Sequence, residues 1–142
     1  MKYMGYRWGV SSQRKMATIH GDLIIVLDTA LSVCPFDITV VCGARSETEQ
    51  TRAFEEGRSK KKWPDSLHNC PESEMRSRAV DLAPWINNTI DWTDEGSFYC
   101  LAGVMLASAN LIGISLTYGG DWNNNGLTKD QTFFDLGHYQ LQ

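Results

Sequence analysis

Residues 18–33, TIHGDLIIVLDTALSV, place Leu23, Ile24, Leu27, Ala30 and Leu31 at helical spacing behind a cap at Thr18 or His20. A few positions later the pattern changes. Residues 37–42, DITVVC, are rich in β-branched side chains and stop at Gly43, the signature of a strand. A chain that switches period so abruptly must build a mixed fold. The rest of the sequence extends the mixture. Residues 47–56 form a polar helix ended by Gly57, and residues 57–78, without periodicity, form a long loop. Residues 79–83, AVDLA, alternate and are closed as a short strand by Pro84. A second apolar helix covers residues 98–110. Residues 112–118 and 133–141 read as strands flanking the loop GGDWNNNGLTKDQ. Strict βαβ alternation is absent, so the expected class is α+β, with helices on a small, mainly antiparallel sheet.

With 142 residues and no repeat or linker, residues 1–142 read as one domain, expected to be a monomer. Apolar residues make up 42% of the chain and charged residues 21%, enough for a real core. A net charge of -4 gives no general attraction to nucleic acid. The densest basic run, RSKKK at 58–62, reads as a solvated turn. Cys34, Cys42, Cys70 and Cys100 show no CxxC pair and read as reduced thiols, with Cys34, Cys42 and Cys100 as small hydrophobes in apolar runs. The first sixteen residues lack the apolar centre of a signal peptide. The stretch 99–116 is too polar for a membrane span, so no membrane insertion is expected.

Only three histidines exist, which makes the search for chemistry short. His20 reads as a helix cap or surface residue. His68 lies in the loop as SLHN, Asp81 follows in AVDLAP, and His138 stands near the last residues, three positions after Asp135. Two imidazoles and a carboxylate suffice to hold a catalytic zinc with a fourth position open for water. Such an ion lowers the pKa of water to about 7. Asp135, near His138 if the tail is extended, is then a candidate to move the proton. On composition and spacing alone, two lone histidines are more often ordinary polar residues than metal ligands.

The ordered set Gly43-Ala44-Arg45, Ser66-Leu67-His68, Ala79-Val80-Asp81, Gly119-Gly120-Asp121-Trp122 and Asp135-Leu136-Gly137-His138-Tyr139 carries more information. It resembles the zinc peptidases of the D-alanyl-D-alanine carboxypeptidase and L-alanyl-D-glutamate endopeptidase group, which includes phage endolysins. The resemblance implies a hedgehog/D-Ala-D-Ala-peptidase-like fold, with His68, Asp81 and His138 binding Zn2+ and Asp135 as the catalytic carboxylate. It also implies that Arg45 holds the polarised carbonyl or a substrate carboxylate, as a planar, always charged guanidinium can. Ser66 would position substrate or steady the ligand loop, and Gln50 would orient the helix that follows Arg45. The implied substrate is the peptidoglycan stem peptide, cut between L-alanine and D-glutamate. The implied setting is a phage lysin in the host cytoplasm until its release to the periplasm and cell wall. The alternatives are a D-alanyl-D-alanine carboxypeptidase or dipeptidase, or a non-catalytic zinc or wall-binding module.

Three departures from the family pattern stand out. The family writes S-x-H-x-x-G-x-A-x-D, whereas here extra residues within NCPESEMRSR separate His68 from Asp81, and Ser77 stands at the glycine. They read as a looped-out insertion, and they offer Cys70, Glu72 and Glu74 as rival ligands. The family's closing H-F-E-L is His138-Tyr139-Gln140-Leu141 here, an amide for a carboxylate. Elsewhere, Asp121, Asn123 and Asn125 begin like a calcium loop with Gly126 sixth, but Thr132 occupies the twelfth position where a glutamate is required. That segment reads as a structured turn near the site, with weak calcium binding as the lesser alternative.

Overall fold

The computed structural model describes residues 5–142, so the first four residues of the leader reading lie outside the described residues. Four helices and four strands follow in the order α1 (Val10–Met16), α2 (Gly21–Val33), β1 (Asp37–Cys42), α3 (Glu47–Glu55), β2 (Ala79–Trp85), α4 (Glu95–Leu111), β3 (Leu116–Tyr118) and β4 (His138–Leu141). The strands form one antiparallel sheet in the order β1-β2-β4-β3. The fold is the α+β arrangement expected, with a single small domain.

Local chemistry explains the helix ends. The His20 Nδ1 accepts from the Asp22 amide at 3.1 Å and caps α2. Ser46 caps α3: its Oγ accepts from the Glu49 amide and donates to the Glu49 carboxylate. Asp94 caps α4 through the Ser97 amide.

Strand alternation separates the core from the cleft. Val80 and Leu82 are fully buried in a cluster with Leu23, Val26 and Leu27 of α2 and Leu101 and Met105 of α4. Asp81, between them, faces the other side of the sheet. In β4, Tyr139 and Leu141 join the same cluster, which sends His138 and Gln140 to the face of Asp81. Truncating Leu82 or Leu101 to alanine belongs to the class of change that costs about 2–5 kcal/mol. The outer edge of β1 is covered by α1, whose Ser12 hydroxyl accepts the Val40 amide at 3.0 Å.

The structure corrects several expectations. β2 runs through Pro84 to Trp85. β4 pairs only with Ala79, Val80 and Asp81, so at Pro84 one side of the strand has no neighbouring strand to miss an N–H. The strand expected at 112–118 begins only at Leu116, because Ile112 ends α4 and Gly113 turns the chain with a positive φ of 74°. The strand expected at 133–141 is reduced to its last four full positions, since residues before His138 are turns. Helix α1 was not anticipated; seven residues are too few to show a periodicity. Cys100 is exposed on α4 rather than packed as a hydrophobe. No helix among the described residues is long and apolar enough to cross a membrane.

Candidate metal centre

The sheet register brings the first two residues of the site together. Asp81 of β2 lies directly opposite His138 of β4, and on its other side opposite Cys42 of β1, just past an irregularity in the β1 ladder. Asp81 Oδ1 is 3.1 Å from His138 Nδ1. The third residue comes from the long loop. The Arg45 amide donates to the His68 carbonyl at 2.8 Å, and the Arg78 amide donates to the Leu67 carbonyl at 3.0 Å. These bonds seat His68 so that its Nε2 is 3.3 Å from both His138 Nδ1 and Asp81 Oδ1. Both imidazoles are almost completely buried.

Hydrogen-bond partners decide what these three atoms can hold. His68 Nδ1 is 2.8 Å from the Gly43 carbonyl, an acceptor only, so that nitrogen carries the hydrogen and Nε2 presents a lone pair. His138 Nε2 likewise donates to Gln140 Oε1 at 2.8 Å, which leaves a lone pair on Nδ1. With both rings neutral, two imidazole lone pairs and a carboxylate oxygen converge at 3.1–3.3 Å. That arrangement is repulsive unless a cation sits among them. The spacing also fits one: a tetrahedron with metal–ligand bonds of about 2.0–2.1 Å has edges of about 3.3 Å. The residues fit a divalent metal ion.

Electrostatics points the same way. Burial alone would push the His68 imidazole down, but the Asp81 carboxylate, helped by Cys42, overrides it and raises the pKa to about 10. Burial would raise Asp81, yet the two histidines hold it well below the usual carboxylate range. The site demands positive charge, and without a metal a proton must provide it.

Around the ligands, Arg45 NH2 lies 3.5 Å from Asp81 Oδ2, while its NH1 donates to Gln50 Oε1 at 2.9 Å. Arg45 thus engages the second oxygen of the Asp81 carboxylate rather than Glu47 or Glu49. Gln50 is fully buried and connects distant parts of the site. Its Oε1 also accepts from Asn69, and its Nε2 donates to Ser59 Oγ and the Lys61 carbonyl. Ser66 Oγ accepts the His68 amide at 3.3 Å, which steadies the ligand loop.

Asp135 reaches the site through a turn, not the extended tail expected. The His138 amide closes the turn on the Asp135 carbonyl at 3.0 Å, and Asp135 Oδ2 comes within 3.9 Å of His138 Nδ1. Two glycines permit this packing. A side chain at Gly119 would collide with the Asp135 carbonyl, and one at Gly137 would lie 2.6 Å from the Leu82 carbonyl. Burial, then the charge of Asp81, raises the Asp135 pKa above its ordinary value despite His138, His68 and Arg45.

The rival ligands fall away from the site. Two groups of potential ligands occur among the described residues: Cys42, His68 and Asp81, and Asp81, Asp135 and His138. Cys70, Glu72 and Glu74 belong to neither. Cys42 was not anticipated as a neighbour of the site; its Sγ lies 4.0 Å from His68 Nδ1, behind the ring rather than at Nε2. Asn69 and the accepting role of Gln140 were also missed, since nothing in an isolated amide indicates its partner. In the loop after β3, Asp121 accepts the Asn125 and Gly126 amides on its two oxygens, and Asn125 accepts the Leu127 amide. Asn123 Oδ1 accepts from Gln131. The segment is a self-satisfied turn whose Trp122 tilts over His138.

The site opens onto a cleft of about 580 Å³, lined by Arg45, Ser66, His68, Asp135, His138 and Gln140, with Trp122 and Phe133 and the basic segment of the long loop. A family model described as phage L-alanyl-D-glutamate peptidase matches residues 4–142. The L-alanyl-D-glutamate peptidase of Escherichia phage T5 is 30% identical over 141 residues, covering 97% of this chain and 99% of that protein. The crystal structure of the Serratia marcescens L-Ala D-Glu endopeptidase ChiX shares the fold, with a TM-score of 0.76 at 23% identity over 98% of this chain and 92% of that one.

Proposed function

Because the chain belongs to the phage L-alanyl-D-glutamate peptidase family, we propose that it is a zinc-dependent endolysin that hydrolyses the L-alanyl-D-glutamate amide of the peptidoglycan stem peptide. The observation that carries the metal part of this reading is the convergence of His68 Nε2, His138 Nδ1 and Asp81 Oδ1, each 3.1–3.3 Å from the others, at the wall of an open cleft. These three atoms would hold the ion. Two imidazoles with one carboxylate suit zinc better than the oxygen-only ligand sets of calcium or magnesium. Zinc bound there would supply Lewis acidity and would lower the pKa of water to about 7.

The chain's own groups do the rest. Asp135 lines the cleft beside His138, and its raised pKa brings it closer to the working pH, as a proton carrier requires. It takes the proton of the attacking water and delivers it to the departing amine. Arg45, fixed by Gln50, keeps Asp81 Oδ2 occupied and leaves Oδ1 as the oxygen that would hold the ion. Its guanidinium also lines the cleft and places positive charge where the carbonyl oxygen becomes negative. Gly43 and Gln140 hold each imidazole in the tautomer that ligates.

Product analysis on purified muropeptides tests this reading. It expects a free stem peptide beginning at D-glutamate, abolished by a chelator and restored by zinc. Released D-alanine would instead identify a carboxypeptidase, and activity indifferent to chelation would remove the metal.

A further inference from the structure

The cleft has a basic wall that the metal chemistry does not use. Arg58, Lys60 and Lys61 line it, and Phe133 and Trp122 continue it toward the metal centre. Lys60 Nζ lies 4.7 Å from the centroid of the Phe133 ring, which stacks on Trp122 at 6.0 Å, and Trp122 in turn reaches the His138 ring at 5.3 Å. Arg58 is engaged, with its Nε 2.8 Å from Glu56 Oε2. Lys60 and Lys61 form no ion pair among the described residues, although Asp65 lines the same cleft.

The backbone of this segment is not free to drift. Gln50 Nε2 holds the Lys61 carbonyl at 2.6 Å, and Ser59 Oγ accepts from both Gln50 Nε2 and the Lys61 amide. The same buried Gln50 accepts from Arg45 and from Asn69, the neighbour of His68. One side chain thus sets the basic segment in register with the metal ligands. Arg58, Lys60 and Lys61 are exposed, as a solvated turn requires, and the same three side chains line the cleft.

The substrate chemistry gives such a wall an occupant. A glutamate joined into a peptide through one carboxyl keeps the other free, so the residue whose nitrogen forms the scissile amide itself carries a carboxylate. The protein's net charge of -4 would repel this anion unless the cleft reverses the sign locally. We propose that Lys60 and Lys61 form a carboxylate subsite that recognises the free carboxylate of the substrate's glutamate, a specificity element resting on the peptidase reading above.

The test compares two synthetic stem peptides, one with the glutamate carboxylate free and one with it amidated, in the wild type, K60A/K61A and K60R/K61R. The wild type should favour the free acid by about tenfold in kcat/KM, the size expected of two partly exposed charge contacts. In K60A/K61A that preference should collapse to near one, with the loss falling on KM, and K60R/K61R should restore it. Added salt should erode the wild-type preference. A wild type that cleaves both peptides equally well, or a K60A/K61A variant that keeps the preference, overturns the subsite and leaves the peptidase reading standing. A wild type that cleaves neither peptide overturns both.

Discussion

His68 Nε2 and His138 Nδ1 face each other at 3.3 Å across seventy positions of sequence, while the second nitrogen of each ring donates to a fixed oxygen, the Gly43 carbonyl and Gln140 Oε1. Such a pair makes sense only around a cation. Alanine at either histidine should therefore abolish stoichiometric metal binding, and kcat/KM should fall by more than the roughly hundredfold loss typical of outer partners. Metal analysis of the purified variants, beside muropeptide turnover, checks this. Full metal content in both variants would contradict the ligand assignment.

Gln140 should matter chiefly through His138, whose Nε2–H it accepts at 2.8 Å. Gln140→Ala removes the acceptor that fixes the imidazole tautomer and should weaken metal affinity by about 10–100-fold. Gln140→Glu, which keeps an acceptor at the same place, should retain affinity. Competition against a coloured chelator measures both.

Asp135→Asn should retain the metal yet lower kcat by about 10²–10⁴-fold, the range for a lost proton-transfer group. The pH profile separates this role from simple positioning. A base must be ionised, and burial with Asp81 raises the pKa of Asp135, so kcat/KM should fall on the acid side above the ordinary carboxylate range near 3.9. That limb should vanish in the asparagine variant. An unchanged limb would assign it to another group.

The metal-free protein should lose stability as the solution becomes alkaline. His68 holds its proton up to about pH 10 when folded, whereas an unfolded histidine releases it near 6.5. The stabilisation is complete below about pH 6.5 and disappears as the pH climbs through 10. Thermal melts of chelated protein should decline across that window, while zinc-loaded protein, stabilised by mass action on deprotonated ligands, should decline less. Parallel curves would mean that the proton does not stand in for the metal.

Much of this was readable from residue order, for definite reasons. β1 showed its β-branched run and its bounds without error, because a strand facing a core selects such residues. The three residues that converge, His68, Asp81 and His138, stood out through their motif words. What escaped was whatever depends on another segment. The Pro84 boundary failed because the absent neighbour that tolerates proline is a matter of sheet order. The Asp135 turn failed because its closing bonds run to Gly119 as well as to His138. Gln50 was seen as a local aid to one helix, yet its four polar contacts reach 5 to 19 positions away. An amide names its capacity to bond, never its partner.

The insertion between His68 and Asp81 starts and finishes at the same place. Leu67 and Arg78 are joined by a backbone bond, and Ser77 donates to the same Leu67 carbonyl, so residues 70–76 bulge outward from a closed neck. Lengthening such a bulge costs little, because closure entropy grows only with the logarithm of its size. The neck uncouples the length of the span from the site: residues added between 70 and 76 should leave His68 and Asp81 at the separation they have now.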